Sequence, residues 1–214
     1  MRYNWNMEQK TFNNNLNETF KGAIDALNNA VELDLSRINN SRSIIFVVDM
    51  INGFTREGSL YSPYAEKLVE NVKEFLSKAS CKKIFICDSH SETSEEFNTF
   101  PPHCVTEKEK DIDEELKPFV DKVIKKNSTN GFFRLDDEYL NYDNYVIVGV
   151  CTDICVLNLA LTLKSYLNDN NKNSNVLVPL SLVDTYDMED IHNRDLYNLM
   201  SVALLKNAGV ELTK

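Results

Sequence analysis

The chain has 214 residues, a formal net charge of −10, 43% hydrophobic residues and 26% charged residues. That balance is ordinary for one globular domain with a sizeable core, and the acidity argues against nucleic acid or an anionic membrane as the main partner. No apolar stretch approaches the ~20 residues that span a bilayer and the first ten residues hold no signal-peptide core, so the expected location is cytoplasmic.

Residues 1–15 are polar and rich in asparagine. From there Leu16, Phe20, Ile24, Leu27, Val31 and Leu35 recur every three or four residues, which predicts an amphipathic helix over about 16–38. This makes residues 1–42 an N-terminal extension to a main domain over 43–214. Ser43 to Val48 is a continuous β-branched and aromatic run, too short for a helix and apolar on both faces, as in a central parallel strand. Helix periodicity over Ala65 to Ala79 and a strand over Lys83 to Cys87 repeat the cycle. Residues 89–112 read as irregular and acidic, Glu114 to Val120 as a short helix ended near Pro118, and Val123-Ile124 as a short strand. Tyr145 to Val148 reads as a strand, Thr152 to Leu167 as a helix and Val176 to Val183 as a strand. Ile191 to Lys206 is an expected helix, and Val210 to Leu212 the last strand. Strand–helix alternation at this spacing predicts a three-layer α/β/α sandwich with a mainly parallel sheet, whose chemistry lies beyond the carboxyl ends of the strands.

Five cysteines (Cys81, Cys87, Cys104, Cys151 and Cys155) do not form a disulfide framework and read as reduced thiols. Cys155 is distinctive, because Gly149-Val150-Cys151-Thr152-Asp153-Ile154-Cys155-Val156 joins an apolar strand to a helix. A thiol at a helix start sits among free N–H groups near the positive end of the dipole, which favours thiolate. Asp49 closes the first strand and Lys126 follows the short run Val123-Ile124. Alone, each has a bland reading: a buried free cysteine, a loop or capping carboxylate, a solvated lysine. Together, a carboxylate can take the thiol proton while an ammonium stabilises the resulting anions.

A second group lies in one loop. Asp88 and His90 project the same way from a strand end, and Glu96 and Phe100-Pro101-Pro102-His103 follow. A carboxylate with two imidazoles suits Zn²⁺, Fe²⁺ or Mn²⁺; the alternative is a polar loop with no metal. Cys104 beside His103 reads as a structural thiol, His192 as a capping or packing residue, and Asp184 and Asp187 as loop or cap carboxylates.

These motifs resemble those of the isochorismatase-like cysteine hydrolases, and within them the nicotinamidase type, over roughly residues 43–212. The matching elements are Asp49 with Asn52 and Phe54, Lys126 with Asn130-Gly131-Phe132, and Gly149 to Val156. The resemblance implies that Cys155 is the nucleophile, Asp49 the general base and Lys126 the stabilising cation. It implies a cis peptide between Val150 and Cys151, with the Cys151 and Cys155 backbone N–H groups aimed at one oxyanion. It implies a divalent metal, Zn ahead of Fe or Mn, on Asp88, His90 and His103, with Glu96 as a further ligand in several relatives. Isochorismatases lack this metal set. It also implies that the metal holds a pyridine nitrogen while Phe54 and Phe100 sandwich the ring. The chain departs from the family at Val105 to Lys110, where a glycine-rich turn is usual, and at Thr129 and Gly131.

The implied activity is hydrolysis of nicotinamide to nicotinate and ammonia in NAD salvage. The alternatives are hydrolysis of another small amide or carbamoyl compound, and a noncatalytic binding module on the same fold. A small-molecule amide is the expected partner, nucleic acid and membrane are not, and the N-terminal helix docks on the domain or on a second copy in a homo-oligomer.

Overall fold

Residues 20–214 are described by a computed structural model, so positions 16–19 of the expected first helix lie outside it. In chain order, helix α1 (residues 20–29) and the short α2 (Leu35–Ile38) precede β1 (Ser43–Val48). Helices α3 (Asn52–Thr55) and α4 (Pro63–Lys78) lead to β2 (Lys82–Asp88), and α5 (Glu107–Lys110) precedes β3 (Lys122–Lys126). Strand β4 (Asn144–Val150) runs into α6 (Leu157–Asp169), and β5 (Asn175–Pro179), β6 (Val183–Asp184), α7 (Arg194–Asn207) and β7 (Glu211–Thr213) follow.

Among the described residues the strands form one sheet in the order β3-β2-β1-β4-β5-β7, with β6 also on β4, and every pairing is parallel. All six residues of β1 and all seven of β4 are buried, because helices cover both faces. On one face Ile45, Val47, Phe85 and Val148 pack with Leu68, Val72 and Leu76 of α4. On the other, Ile44, Phe46, Ile84 and Ile147 pack with Leu159, Leu163 and Leu167 of α6 and Leu205 of α7. This alternation of side chains across β1 and β4 produces the three layers. Helix α4 starts where the Ser62 side chain accepts a hydrogen bond from the Tyr64 N–H and Pro63 occupies the first turn.

Several elements differ from expectation. The chain is extended over residues 30–34, where Leu33 N–H donates to the Lys214 carbonyl and Lys214 N–H to the Val31 carbonyl. Asp34 then caps α2 through Ser36, so pairing with the C-terminus divides what the periodicity presents as one helix. The expected strand 176–183 is split by a turn at Leu180–Leu182, with β5 on the start of β4 and β6 on its end. The expected helix over 114–120 is a single turn at Lys117–Phe119. Segment 89–112 is less irregular than its composition suggests, since Thr106 and Glu109 form a complete capping box on α5. No described helix is long and apolar enough to cross a membrane.

Candidate active site

The parallel register brings the charged residues together at the carboxyl edge of the sheet. Asp88 on β2 lies opposite Lys126 on β3, and Asp49, one residue beyond β1, donates its N–H to the Ile86 carbonyl at 2.9 Å. Asp49 adopts φ of 53°, and its Oδ1 accepts the Asp88 N–H at 2.8 Å. Lys126 Nζ, fully buried, stands 2.8 Å from Asp49 Oδ2, 2.5 Å from Asp88 Oδ1 and 3.5 Å from Cys155 Sγ. Carboxylate oxygens of Asp49 and Asp88 and the Cys155 sulfur all lie within 4.8 Å of one another.

Cys155 sits in a π-type turn, Thr152–Val156, that enters α6. Wide turns of this kind recur at functional sites. The expected ready thiolate is not what the surroundings favour. Burial pushes the Cys155 thiol well up, and the pull of Lys126 in the other direction does not overcome it. The sulfur therefore needs a base. Asp49 suits that role, since burial, and then the Asp88 charge, raise its carboxyl to about 6 against the opposing pull of Lys126. Its Oδ2 lies 2.8 Å from Nζ, and a carboxylate oxygen of Asp49 lies within 4.8 Å of the Cys155 sulfur, within reach of the thiol proton. Burial would also raise Asp88, but Lys126 and the two histidines hold it below the usual carboxylate range.

Asp88, His90 and His103 form a separate cluster in which one ligand atom from each lies within 4.8 Å of the others, all three residues being buried. His90 Nε2 is 3.4 Å from Asp88 Oδ1 and His103 Nε2 is 3.8 Å from Asp88 Oδ2. The Nδ1–H of His103 faces the Pro101 carbonyl at 2.8 Å, and that of His90 faces Asn127 Oδ1 at 2.9 Å. With hydrogen on Nδ1 facing those acceptors, each Nε2, which lies beside Asp88, would be free to share a cation with it, the arrangement metal-ligating histidines need. His90 Nε2 is buried with no hydrogen-bond partner among the described residues, so the donor set fits a divalent cation. Glu96 lines the same cavity without belonging to that tight cluster. Burial and then Asp88 raise its carboxyl.

Cys155, Cys151, Asp88 and His103 open into a cavity of about 340 Å³. Phe54 and Phe100 line it and meet the His103 ring edge-on at 5.9 and 6.3 Å. Tyr61, Ile154, Tyr186 and Met188 complete its apolar walls, and Thr129 also lines it. No lysine or arginine does so among the described residues; the charged lining groups are Asp88, Glu96 and Asp187. The Val150–Cys151 peptide is cis. Gly149 before it has φ of 114°, and a Cβ there would fall 2.0 Å from the Val48 carbonyl oxygen. Cys104 is a buried free thiol packed against Gly53, away from the metal cluster's ligand atoms.

Sequence reasoning missed Asn127, Phe97 and the wall residues Tyr61, Tyr186 and Met188. Phe97 packs edge-on against both His90 and His103. Asn127 directly follows Lys126, so the strand end that presents the ammonium also presents the histidine's partner. His192 is a packing residue, as expected, but it also hydrogen-bonds Asp153 in the cysteine turn. Asp184 is paired with Arg194, and Asp187 accepts the Arg194 N–H at the start of α7.

A family model described as the Isochorismatase domain matches residues 43–203. No curated protein matches the sequence. Among solved structures, PnC1 from L. infantum, solved in complex with nicotinate, is 21% identical with a TM-score of 0.68, covering 86% of this chain and 96% of its own. The pyrazinamidase of Pyrococcus horikoshii, solved with zinc, is 20% identical with a TM-score of 0.62, covering 81% and 99%. The N-carbamoylsarcosine amidase of Thermoplasma acidophilum is 22% identical with a TM-score of 0.61, covering 80% and 95%. At these identities the likeness is one of fold.

Proposed function

The chain belongs to the isochorismatase family, and we propose that within it the protein is a metal-dependent hydrolase of a small neutral carboxamide, nicotinamide first, releasing nicotinate and ammonia for NAD salvage. One observation carries this reading: Asp88 and His103, which cluster with His90, line the same cavity as Cys155. The cavity supports a neutral aromatic substrate, since its walls are aromatic and aliphatic and its charged lining groups are all acidic.

In this reading Asp49 takes the Cys155 proton and Sγ attacks the amide carbon, with Lys126 stabilising the charge that develops. The backbone N–H groups of Cys151 and Cys155 hold the oxyanion. The C–N bond breaks as Asp49 returns its proton to the leaving ammonia, which leaves a thioester on Cys155. Asp49 then takes a proton from water, the hydroxide adds to the thioester carbon, and the acid departs as the thiol re-forms. A divalent ion on Asp88, His90 and His103, zinc ahead of iron or manganese, would supply a Lewis acid for a substrate ring nitrogen, and Glu96, in the same cavity, would be a further ligand. Phe54 and Phe100 flank the ring.

The second reading is a carbamoyl amidase, which the structural likeness to an N-carbamoylsarcosine amidase supports. That substrate carries a carboxylate, for which this acidic cavity offers no lining cation. A noncatalytic module is least supported, because Asp49, Lys126 and Cys155 converge with the spacing a reaction needs. Ammonia release from a panel of amides, with and without chelator and with Cys155→Ala as control, tests the assignment. Nicotinamide should lead the panel, chelator should stop turnover, and Cys155→Ala should be inactive with its metal retained. No ammonia from nicotinamide with the metal-loaded chain would overturn the proposal.

A further inference from the structure

His192 is buried between two parallel tyrosine rings, Tyr186 at 3.8 Å and Tyr197 at 3.7 Å between centroids. Its Nδ1 is 3.0 Å from the Tyr186 carbonyl and its Nε2 is 2.9 Å from Asp153 Oδ2. A carbonyl and a carboxylate face the two ring nitrogens, and the two tyrosine faces hold the ring between them, so the imidazole is fixed in position and orientation. Backbone bonds pair His192 with Met188 in both directions at 2.9 Å. His192 therefore holds Tyr186 and Met188, two residues of the cavity wall, by side chain, ring face and main chain.

The other end of this contact is the nucleophile's own turn. Asp153 lies two residues from both Cys151 and Cys155, and its second oxygen accepts the Thr185 hydroxyl at 2.5 Å. Thr185 and His192 thus approach one carboxylate from both ends of the wall loop. The outer side of that loop is fixed independently, by Arg194 on Asp184 and by the Arg194 N–H on Asp187. His192 is not among the cavity-lining residues. It can act only through the wall and the cysteine turn that it joins.

We propose that His192, bound to Asp153, is a positioning residue that sets the separation between the Tyr186–Met188 wall and the Cys155 turn, and so the size of acyl group that reaches the sulfur. This deepens the amide-hydrolase reading and rests on it. Loss of the two hydrogen bonds frees the wall without touching Asp49, Lys126, Cys155 or the metal ligands.

The test uses the metal-loaded full chain with His192→Ala, His192→Phe and Asp153→Asn. Phenylalanine keeps a ring between the tyrosines and removes both hydrogen bonds, so it serves if alanine does not fold. Two quantities are read: kcat and KM for nicotinamide, and the ratio of Cys155 alkylation rates by iodoacetamide and by bulkier N-phenyl iodoacetamide, located by mass spectrometry. In His192→Phe, KM should rise about tenfold with a smaller fall in kcat, as for lost uniform binding. The alkylation ratio should shift at least about threefold toward the bulky reagent as the wall loosens. A rise in KM or a shift of the alkylation ratio toward the bulky reagent upholds the proposal. A wild-type KM together with a wild-type alkylation ratio, whatever happens to kcat or Tm, overturns it. If wild-type protein releases no ammonia from nicotinamide, the proposed function fails, and the alkylation ratio alone still decides the role of His192.

Discussion

Lys126 and Asp88 face each other on neighbouring parallel strands, and the Lys126 ammonium reaches Asp88 Oδ1 at 2.5 Å. One cation therefore serves both Asp49, the proposed acid–base partner of Cys155, and Asp88, the carboxylate of the proposed metal cluster, because Asp49 Oδ2 lies 2.8 Å from the same Nζ. Removing it leaves two buried carboxylates without their counterion. Lys126→Met should abolish turnover and lower the stability of metal-free protein by about 3–5 kcal/mol, the usual result of breaking a buried ion pair from one side. Urea denaturation of the apoprotein checks this, and an unchanged midpoint would contradict the shared-cation reading.

Asn127 should matter as much to the metal as its silent position in the sequence suggests it should not. Its Oδ1 is 2.9 Å from His90 Nδ1, and the Ser94 hydroxyl lies 3.3 Å from the same nitrogen. With Asn127→Ala the ring loses the acceptor that fixes its tautomer and orientation. Zinc affinity should fall about 10- to 100-fold, the range for lost outer-shell partners. Competition with a chromophoric chelator measures it, with fold monitored separately by circular dichroism.

Gly149 is required by the close approach of β1 and β4. A side chain there would meet the Val48 carbonyl at 2.0 Å, and φ of 114° is itself unfavourable for any residue with a Cβ. Gly149→Ala should cost roughly 2–4 kcal/mol from strain and displaced backbone together. It should also depress turnover, since the cysteine turn begins three residues later. Equal denaturation midpoints and equal kcat for the two proteins would show that the strands separate without cost.

Asp49, Asp88, Lys126 and Cys155 are legible in the sequence because each ends or follows a short apolar run, and parallel strands deliver such ends to one edge. The protonation state of Cys155 is not. A helix start is visible in residue order, whereas desolvation depends on the layers packed over it, and here desolvation outweighs the nearby ammonium. The partnerships of His90 with Asn127 and of His192 with Asp153 span 37 and 39 residues and have no local signature. Helix α5 does have one. Thr106-Glu107-Lys108-Glu109 is a capping-box pattern, obscured by reading an acidic stretch as loop. The break after residue 29 depends on the far C-terminus, which no periodicity nearby reports.

Asp113 ties the segment after α5 to Thr55 and Arg56 at the end of α3, and its stability contribution should carry a pH signature. Its buried carboxylate accepts hydrogen bonds from Thr55 Oγ1 at 2.8 Å, Arg56 Nε at 2.7 Å and Glu115 N–H at 3.1 Å. Burial would raise its pKa, but the bonds from Arg56 and Thr55 prevail and hold the carboxyl below the ordinary aspartate range. A carboxyl lowered on folding stabilises above its unfolded pKa of about 3.9, and that stabilisation is lost as pH falls through the lower folded value. Asp113→Asn removes the charge while keeping the size. It should cost about 1–3 kcal/mol at pH 7, since a buried acceptor network loses its ionised member. Below about pH 4 the unfolded wild-type chain takes up the proton ahead of the folded one, so the gap between the two proteins should shrink. Urea midpoints measured from pH 7 down to pH 3 provide the check. A gap that stays constant across that range would show that Asp113 acts by shape alone, because only an ionised, hydrogen-bonded carboxylate makes the difference shrink in acid.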